Sequence, residues 1–265
     1  MSTRHDPLSN TLLAAFADAG CGSLLDALQP VDMPLGQALG DFTRPAQDVY
    51  FPTTSIVSLW CVTQDGDSVQ VASVGREGLV GISVFMGGGS STCGAVVQSA
   101  GQGFRLSSAL IKDSFDRGGP VMQIVLRYIQ AVMTQMTQTA VCNRHHSVES
   151  QMSRLLLQTM DRLAGTDILM THELIARALG VRREGVTESA LKLQQAGYIR
   201  YGRGRITVLD RLGLEGNACE CYAAVSKECK RLGPDVTRRP LNLGSSTAAR
   251  DRIPSRSSSL QQVSA

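Results

Sequence analysis

Apolar side chains recur along this chain with two different periods, and the places where the period changes mark its parts. In residues 8–28, Leu12, Leu13, Phe16, Leu24, Leu25 and Leu28 predict one or two short packing helices, broken at Gly20 and Gly22. From about Val31 to Leu110 the runs shorten to Val49–Phe51, Ile56–Val62, Val69–Val74, Ile82–Phe85, Ala95–Gln98 and Phe104–Leu106. These are β-rich, with glycine corners between them, and Asp65-Gly66 is a hairpin signal. Many short strands with turn residues at the corners predict a small antiparallel sandwich or roll.

In residues 121–142 the helical period returns. Met122, Leu126, Ile129, Met133, Met136 and Ala140 form one stripe, and Val121, Val125, Tyr128 and Val132 a second beside it. Two stripes require two partner surfaces: one for packing on the strand-rich part, the other for a second helix, as in a coiled-coil dimer seam. A helix fully buried within one monomer also fits the pattern. The polar stretch Cys142–Ser147 then reads as a hinge, with Ser147 and Ser150 as helix caps. Val148, Met152, Leu155, Leu156, Met160 and Leu163 follow on the next helix.

The stretch Thr171–Asp210 carries the most specific pattern. Thr171 is a good N-cap, and Leu174, Ile175, Ala178 and Leu179 bury one face of a short helix. Gly180 suits a sharp turn. A second helix, 182–196, starts near Arg182, with Val186, Ala190, Leu191 and Leu193 inward and Arg183, Glu184, Thr187 and Glu188 outside. It stops at Gly197, and two β-rich runs flank Gly202-Arg203-Gly204-Arg205, a hairpin with a basic tip at 202–205. Two helices joined by a tight turn, followed by such a hairpin, make a winged helix-turn-helix, whose second helix suits the DNA major groove. A helical hairpin with a solvated charged face is the plainer alternative. Four residues argue against it: Arg182 and Arg183, because a purely structural helix prefers acids at its N-terminus, and Arg203 and Arg205, which tip the hairpin.

Charge agrees with DNA binding. Residues 171–211 hold eight basic and four acidic side chains, while residues 1–142 have seven basic and eleven acidic. Residues 143–265 reverse the balance, with nineteen against twelve, which suggests that one half meets nucleic acid and the other does not. The chain is 43% hydrophobic and 18% charged, a globular composition. It has no apolar run near the roughly 18 residues of a membrane span, and its start does not read as a signal peptide, so a cytoplasmic location is expected. Seven scattered cysteines are expected to be free thiols. Cys142 stands near His145 and His146, but without further ligands at a recognisable spacing, so hinge polarity is the expected explanation and no metal site or cofactor is expected. No P-loop, dinucleotide fingerprint or nucleophile with an ordered base is present, so no enzyme activity is expected. Residues 233–265 are rich in Ser, Arg, Pro and Thr and should be disordered.

The run LIARALGVRREGVTESALKLQQAGYIRYGRGRI resembles the DNA-binding half of the Crp/Fnr family. The similarity is densest from about Ser147 to Leu232. It is strongest to a bacterial branch marked by LGVRR-x-x-VT (Leu179–Thr187), GxIxYxRGxI (Gly197–Ile206), Asp210-Arg211 and CECY (Cys219–Tyr222). A looser match from Asp48 to Leu110 includes FPTTSIVSL and VGREGLVG. The resemblance implies an α+β chain in six parts: N-terminal helices (1–30), a cyclic-nucleotide-binding-like β-roll (31–115), a dimerisation helix (116–142), the winged helix-turn-helix (147–213), a C-terminal helix (214–232) and the tail. It implies a homodimeric transcription regulator on an inverted repeat of double-stranded DNA, answering an unknown small-molecule effector and, if an activator, touching RNA polymerase.

The DNA-contact residues so implied are Thr171, Arg182, Arg183, Glu184, Thr187, Glu188, Arg203 and Arg205. Arg183 and Glu184 occupy the family's base-reading positions. One turn on, Glu188 stands where the catabolite-activator pattern has arginine. In the cyclic-AMP pattern an acid follows a glycine and an Arg-Ser pair comes later; here Ile82 follows Gly81, and Gly89-Ser90-Ser91-Thr92 lacks the arginine, so cyclic AMP binding is not expected. Iron–sulfur members place ligands mainly near the N-terminus, where only Cys21 stands, so no cluster is expected. Two alternatives stay open: a redox- or metal-responsive regulator using Cys219, Cys221 and Cys229, and a nucleotide-binding module acting through protein partners.

Overall fold

The computed structural model describes residues 6–40, 44–87, 92–163 and 165–233. The expected disordered tail lies, beyond Gly233, outside the described residues. Helices α1 (Thr11–Asp18) and α2 (Gly22–Asp26) open the chain. Asn10 caps α1 through its side-chain oxygen, and its amide nitrogen donates to the carbonyls of Pro52 and Gly78 at 2.9 and 2.8 Å, tying the helix to the strands.

Strands β1 (Gln29–Met33), β2 (Asp48–Pro52), β3 (Ile56–Val62), β4 (Ser68–Val74), β5 (Cys93–Ser99) and β6 (Gly101–Ser107) form two three-stranded antiparallel sheets. Their orders are β1-β6-β2 and β4-β3-β5. Five of the six predicted runs are strands. Ile82–Phe85 is not: Gly81, at φ 110°, turns the chain into a short 3-10 helix whose Phe85 is buried. Cys61 and Cys93 also depart from expectation. They face each other across β3 and β5 and are joined as a disulfide, leaving five free cysteines among the described residues.

Helix α3 (Ser108–Asp116) closes the roll and is separate from the long helix α4 (Pro120–His145). At about 1.5 Å per residue, the 26 residues of α4 extend about 39 Å. Val121, Val125, Tyr128 and Val132 are buried against the roll, and the Tyr128 hydroxyl donates to the carbonyl of Leu79 at 2.9 Å. On the other stripe Leu126 and Met133 stay exposed, at 48% and 53%. The predicted hinge at 142–147 is shorter than expected, because α4 continues through His145 and buries Cys142 in its last turn.

Helix α5 (Val148–Met160), capped by Ser147, leads into β7 (Asp167–Leu169), α6 (His172–Leu179), α7 (Arg183–Gln195), β8 (Ile199–Gly202) and β9 (Arg205–Val208). Met152, Leu156, Ile168, Ile175, Val186, Leu193 and Ile206 are among the residues that fill this second core. The single C-terminal helix expected over 214–232 is two helices, α8 (Arg211–Asn217) and α9 (Glu220–Leu232), with α9 packed along α4. Asp210 caps α8, and Arg211 bonds Asp161 at 2.7 Å and the Tyr222 hydroxyl at 2.8 Å. The Asp-Arg and CECY motifs therefore meet in one network that fastens α8 and α9 to the end of α5.

Candidate nucleic-acid interface

Thr171 caps α6, its hydroxyl accepting from the Leu174 amide at 3.1 Å. Gly180 ends the helix at φ 66°, a left-handed turn that costs glycine nothing sterically. Arg182 occupies the N-cap of α7 without a side-chain cap bond, so its guanidinium remains at the surface. Val186, Ala190 and Leu193 are buried at spacings of four and three, which fixes the inner face of α7. Leu191, expected inward, is 52% exposed, because it lies five residues beyond Val186 and about 140° around the helix.

The residues expected to contact DNA lie on the outer face. Arg182, Arg183, Glu184 and Glu188 are exposed, and Thr187 is half-buried. Glu188 pairs with Lys192 at 2.8 Å, one turn on, which draws its carboxyl below the usual range. The Thr187 hydroxyl bonds the carbonyl of Arg183 and the His172 Nδ1, at 3.1 and 3.0 Å.

His172 was not among the residues singled out from sequence. Its ring stacks on Tyr201, with centroids 4.0 Å apart, so one imidazole links α6, α7 and the wing. Burial, then the charge of Arg183, holds its pKa below the ordinary histidine value. Gln194 adds a second joint by accepting from the Tyr201 amide at 2.9 Å. The sequence signal was faint: a histidine just inside a helix N-terminus and a tyrosine on a wing strand have many other uses.

The wing is a two-residue hairpin, Arg203-Gly204, between β8 and β9, and β7 makes it a three-stranded sheet of order β7-β9-β8. Arg203 has φ 51° and Gly204 φ 76°, the paired positive values that match a turn to the strands' twist. Arg203 is the one non-glycine residue with positive φ among the described residues. The two wing arginines differ. Arg203 projects from the tip, whereas Arg205 pairs with Asp167 of β7 at 3.1 Å.

The roll residues weighed against the cyclic-AMP pattern lie as follows. Ile82 packs on the core. Glu77 is paired with Arg162, Oε1 to Nε at 2.7 Å, and so joins the roll to the end of α5. Residues 89–91 lie outside the described residues. Arg105 sits on β6 beside Asp48 at 3.7 Å and Gln29 at 3.0 Å. A cavity of about 540 Å³ does exist between the roll, α4 and α9, lined in part by Arg76, Glu77, Gln135, Arg162 and Cys229.

The fold is a β-roll joined by a long helix to a winged helix-turn-helix. Residues 150–216 match the Crp-like helix-turn-helix domain. The structural neighbours are Crp/Fnr regulators. FixK2 from Bradyrhizobium japonicum is 16% identical, with a TM-score of 0.63 over 72% of this chain and 98% of its own. A CRP-family transcriptional regulator from Thermus thermophilus is 18% identical, with a TM-score of 0.60 over 71% and 96%. The c-di-GMP responsive global regulator CLP from Xanthomonas campestris is 16% identical, with a TM-score of 0.55 over 72% and 98%. No curated protein matches the chain. Among the described residues no helix is long and apolar enough to cross a membrane.

Proposed function

We propose that this chain is a non-catalytic transcription regulator that binds an inverted repeat of duplex DNA as a homodimer. The observation that carries this reading is the exposed N-terminal face of α7, with Arg182, Arg183 and Glu184, on the same Crp-like domain as a basic wing tip. The start of α7 enters the major groove, and Arg203 and Arg205 hold phosphates. Two α7 helices paired through α4 reach half-sites roughly 34–36 Å apart, one helical turn or a multiple. Sedimentation of the full-length chain on its operator is expected to give two chains per duplex. A single chain on specific DNA would refute the reading.

Arg183 reads a base. An arginine presents two donors to O6 and N7 of guanine, and Glu184 accepts from cytosine N4. Arg183→Ala is expected to lose about 1–3 kcal/mol of discrimination at one base pair, in competition binding on singly substituted sites. An equal loss on every sequence would make Arg183 a phosphate contact. Glu188, tied to Lys192, gives a half-site different from that of a regulator with arginine there.

The effector is not cyclic AMP bound in the catabolite-activator manner. A buried phosphate without a cation loses hydration that nothing replaces, and Glu77 already serves Arg162. Calorimetry with cyclic AMP and cyclic GMP should give no micromolar binding; binding that also tightens DNA affinity would overturn this. The cavity between the roll, α4 and α9 offers room for another small effector. For an activator, RNA polymerase is the further partner. A nucleotide-binding module that works only through protein partners would give no gel shift with any duplex.

A further inference from the structure

The polar stretch at the end of α4, expected to be only a hinge, meets the CECY motif. Cys142 lies in the last turn of α4, His146 directly after it, Cys219 at the N-cap of α9 and Cys221 in its first turn. Each offers one ligand atom, and the four atoms all lie within 4.8 Å of one another. Cys229, grouped with Cys219 and Cys221 from sequence, is not among them and lines the cavity instead. We propose that Cys142, His146, Cys219 and Cys221 bind a single thiophilic divalent ion, Zn²⁺ by its chemistry, as a closed Cys₃His site.

The distances suit one ion. Bonds of about 2.3 Å to sulfur and 2.05 Å to nitrogen, arranged tetrahedrally, put neighbouring ligand atoms about 3.6–3.8 Å apart. The Cys142 and Cys219 sulfurs are 3.4 Å apart, and the Cys221 sulfur is 3.6 Å from His146 Nδ1. An iron–sulfur cluster distributes its cysteines over several irons and needs them farther apart.

The surroundings have the features of a metal shell. His146 turns its other nitrogen, Nε2, to the Glu220 carboxylate at 3.2 Å, the kind of contact that fixes a ligating imidazole's tautomer and orientation. Gln151 donates to the backbone carbonyls of His146 and Cys142, at 2.8 and 3.3 Å, and so holds the chain between two of the ligands. Three thiolates around a divalent ion leave one negative charge. Arg154, 4% exposed and forming no ion pair with a carboxylate among the described residues, has a buried Nε without a partner and acts on Cys142 electrostatically. It supplies the compensating charge.

Cys142 and Cys221 are buried, and four protein ligands complete the coordination, so the ion is structural rather than catalytic. It fastens the end of the long helix to the start of α9.

The test uses the full-length protein, reduced and purified without chelator. Elemental analysis should find about one zinc per chain, because ligands held this close bind as a set. Replacing zinc by Co²⁺ should give sulfur-to-cobalt charge-transfer bands and the intense visible bands of a tetrahedral ion. Cys142→Ser and Cys219→Ser should lose the bands, while Cys229→Ser and Cys21→Ser keep them. Glu220→Gln should weaken metal affinity about 10–100-fold while the bands stay tetrahedral at saturation. Wild-type protein that takes up neither zinc nor cobalt overturns the proposal without reference to any variant. So does full metal content in the Cys142→Ser/Cys219→Ser variant, or mass spectrometry finding these two cysteines joined as a disulfide in the freshly reduced protein. Bands that vanish in Cys229→Ser would assign the ion to other ligands and equally overturn it.

Discussion

The Leu126→Glu/Met133→Glu variant is expected to lose specific DNA binding while keeping its fold. Both side chains are about half exposed on α4, with Met122 and Ala140 of the same stripe also open to solvent, while Ile129 is buried in the roll core and Met136 packs against it. In a lone chain half of each side chain already meets solvent, where a carboxylate can stay hydrated, so thermal stability should change little. In a paired seam they bury four carboxylates per dimer without partners, each costing several kcal/mol, so the dimer dissociates. A chain that must bind its half-site alone forfeits the effective concentration of its neighbour, worth about 10²–10⁴ in affinity. Sedimentation should show monomers and gel shifts no specific complex. A variant that stays dimeric would move the interface away from α4.

Removing the wing charges has the second-largest effect. Arg203→Ala/Arg205→Ala should weaken binding to every duplex alike and flatten the dependence of log affinity on log salt by up to about two units per chain. Arg203, at the tip, should carry about one unit by itself. Arg205 must first give up Asp167 of β7, an exposed pair of small intrinsic value, so its single substitution should change the slope less. Asp167→Asn frees Arg205 and should steepen the slope. Titrations of wild type and these four variants over a range of salt decide this; an unchanged slope in the double variant would remove the wing from the interface.

The helix-turn-helix was legible because its signals are local. A cap at Thr171, a glycine at 180 and apolar residues four and three apart at Val186, Ala190 and Leu193 each act within one or two turns of helix. Leu191 departs from its expected burial because its angle around the helix outweighs its hydrophobicity. The roll was legible as alternating runs closed by glycine, but Ile82–Phe85 read as a strand because the run is short, apolar and β-branched. Gly81's left-handed backbone decided otherwise. What could not be read was anything that joins distant segments. Cys142 meets Cys219 across 77 positions, and Glu77 meets Arg162 across 85. No spacing rule covers ligands that the packing of α9 on α4 brings together. The Cys61–Cys93 pair depends in the same way on the register of β3 against β5.

The central claim is that paired α7 helices read a symmetric sequence. Selection of duplexes from a random pool by the purified full-length chain tests it most directly. An inverted repeat should be enriched, with half-sites centred one helical turn or a multiple apart and a G·C pair whose preference disappears in Arg183→Ala. Enrichment of an asymmetric or single half-site sequence, or no enrichment at all, would contradict it.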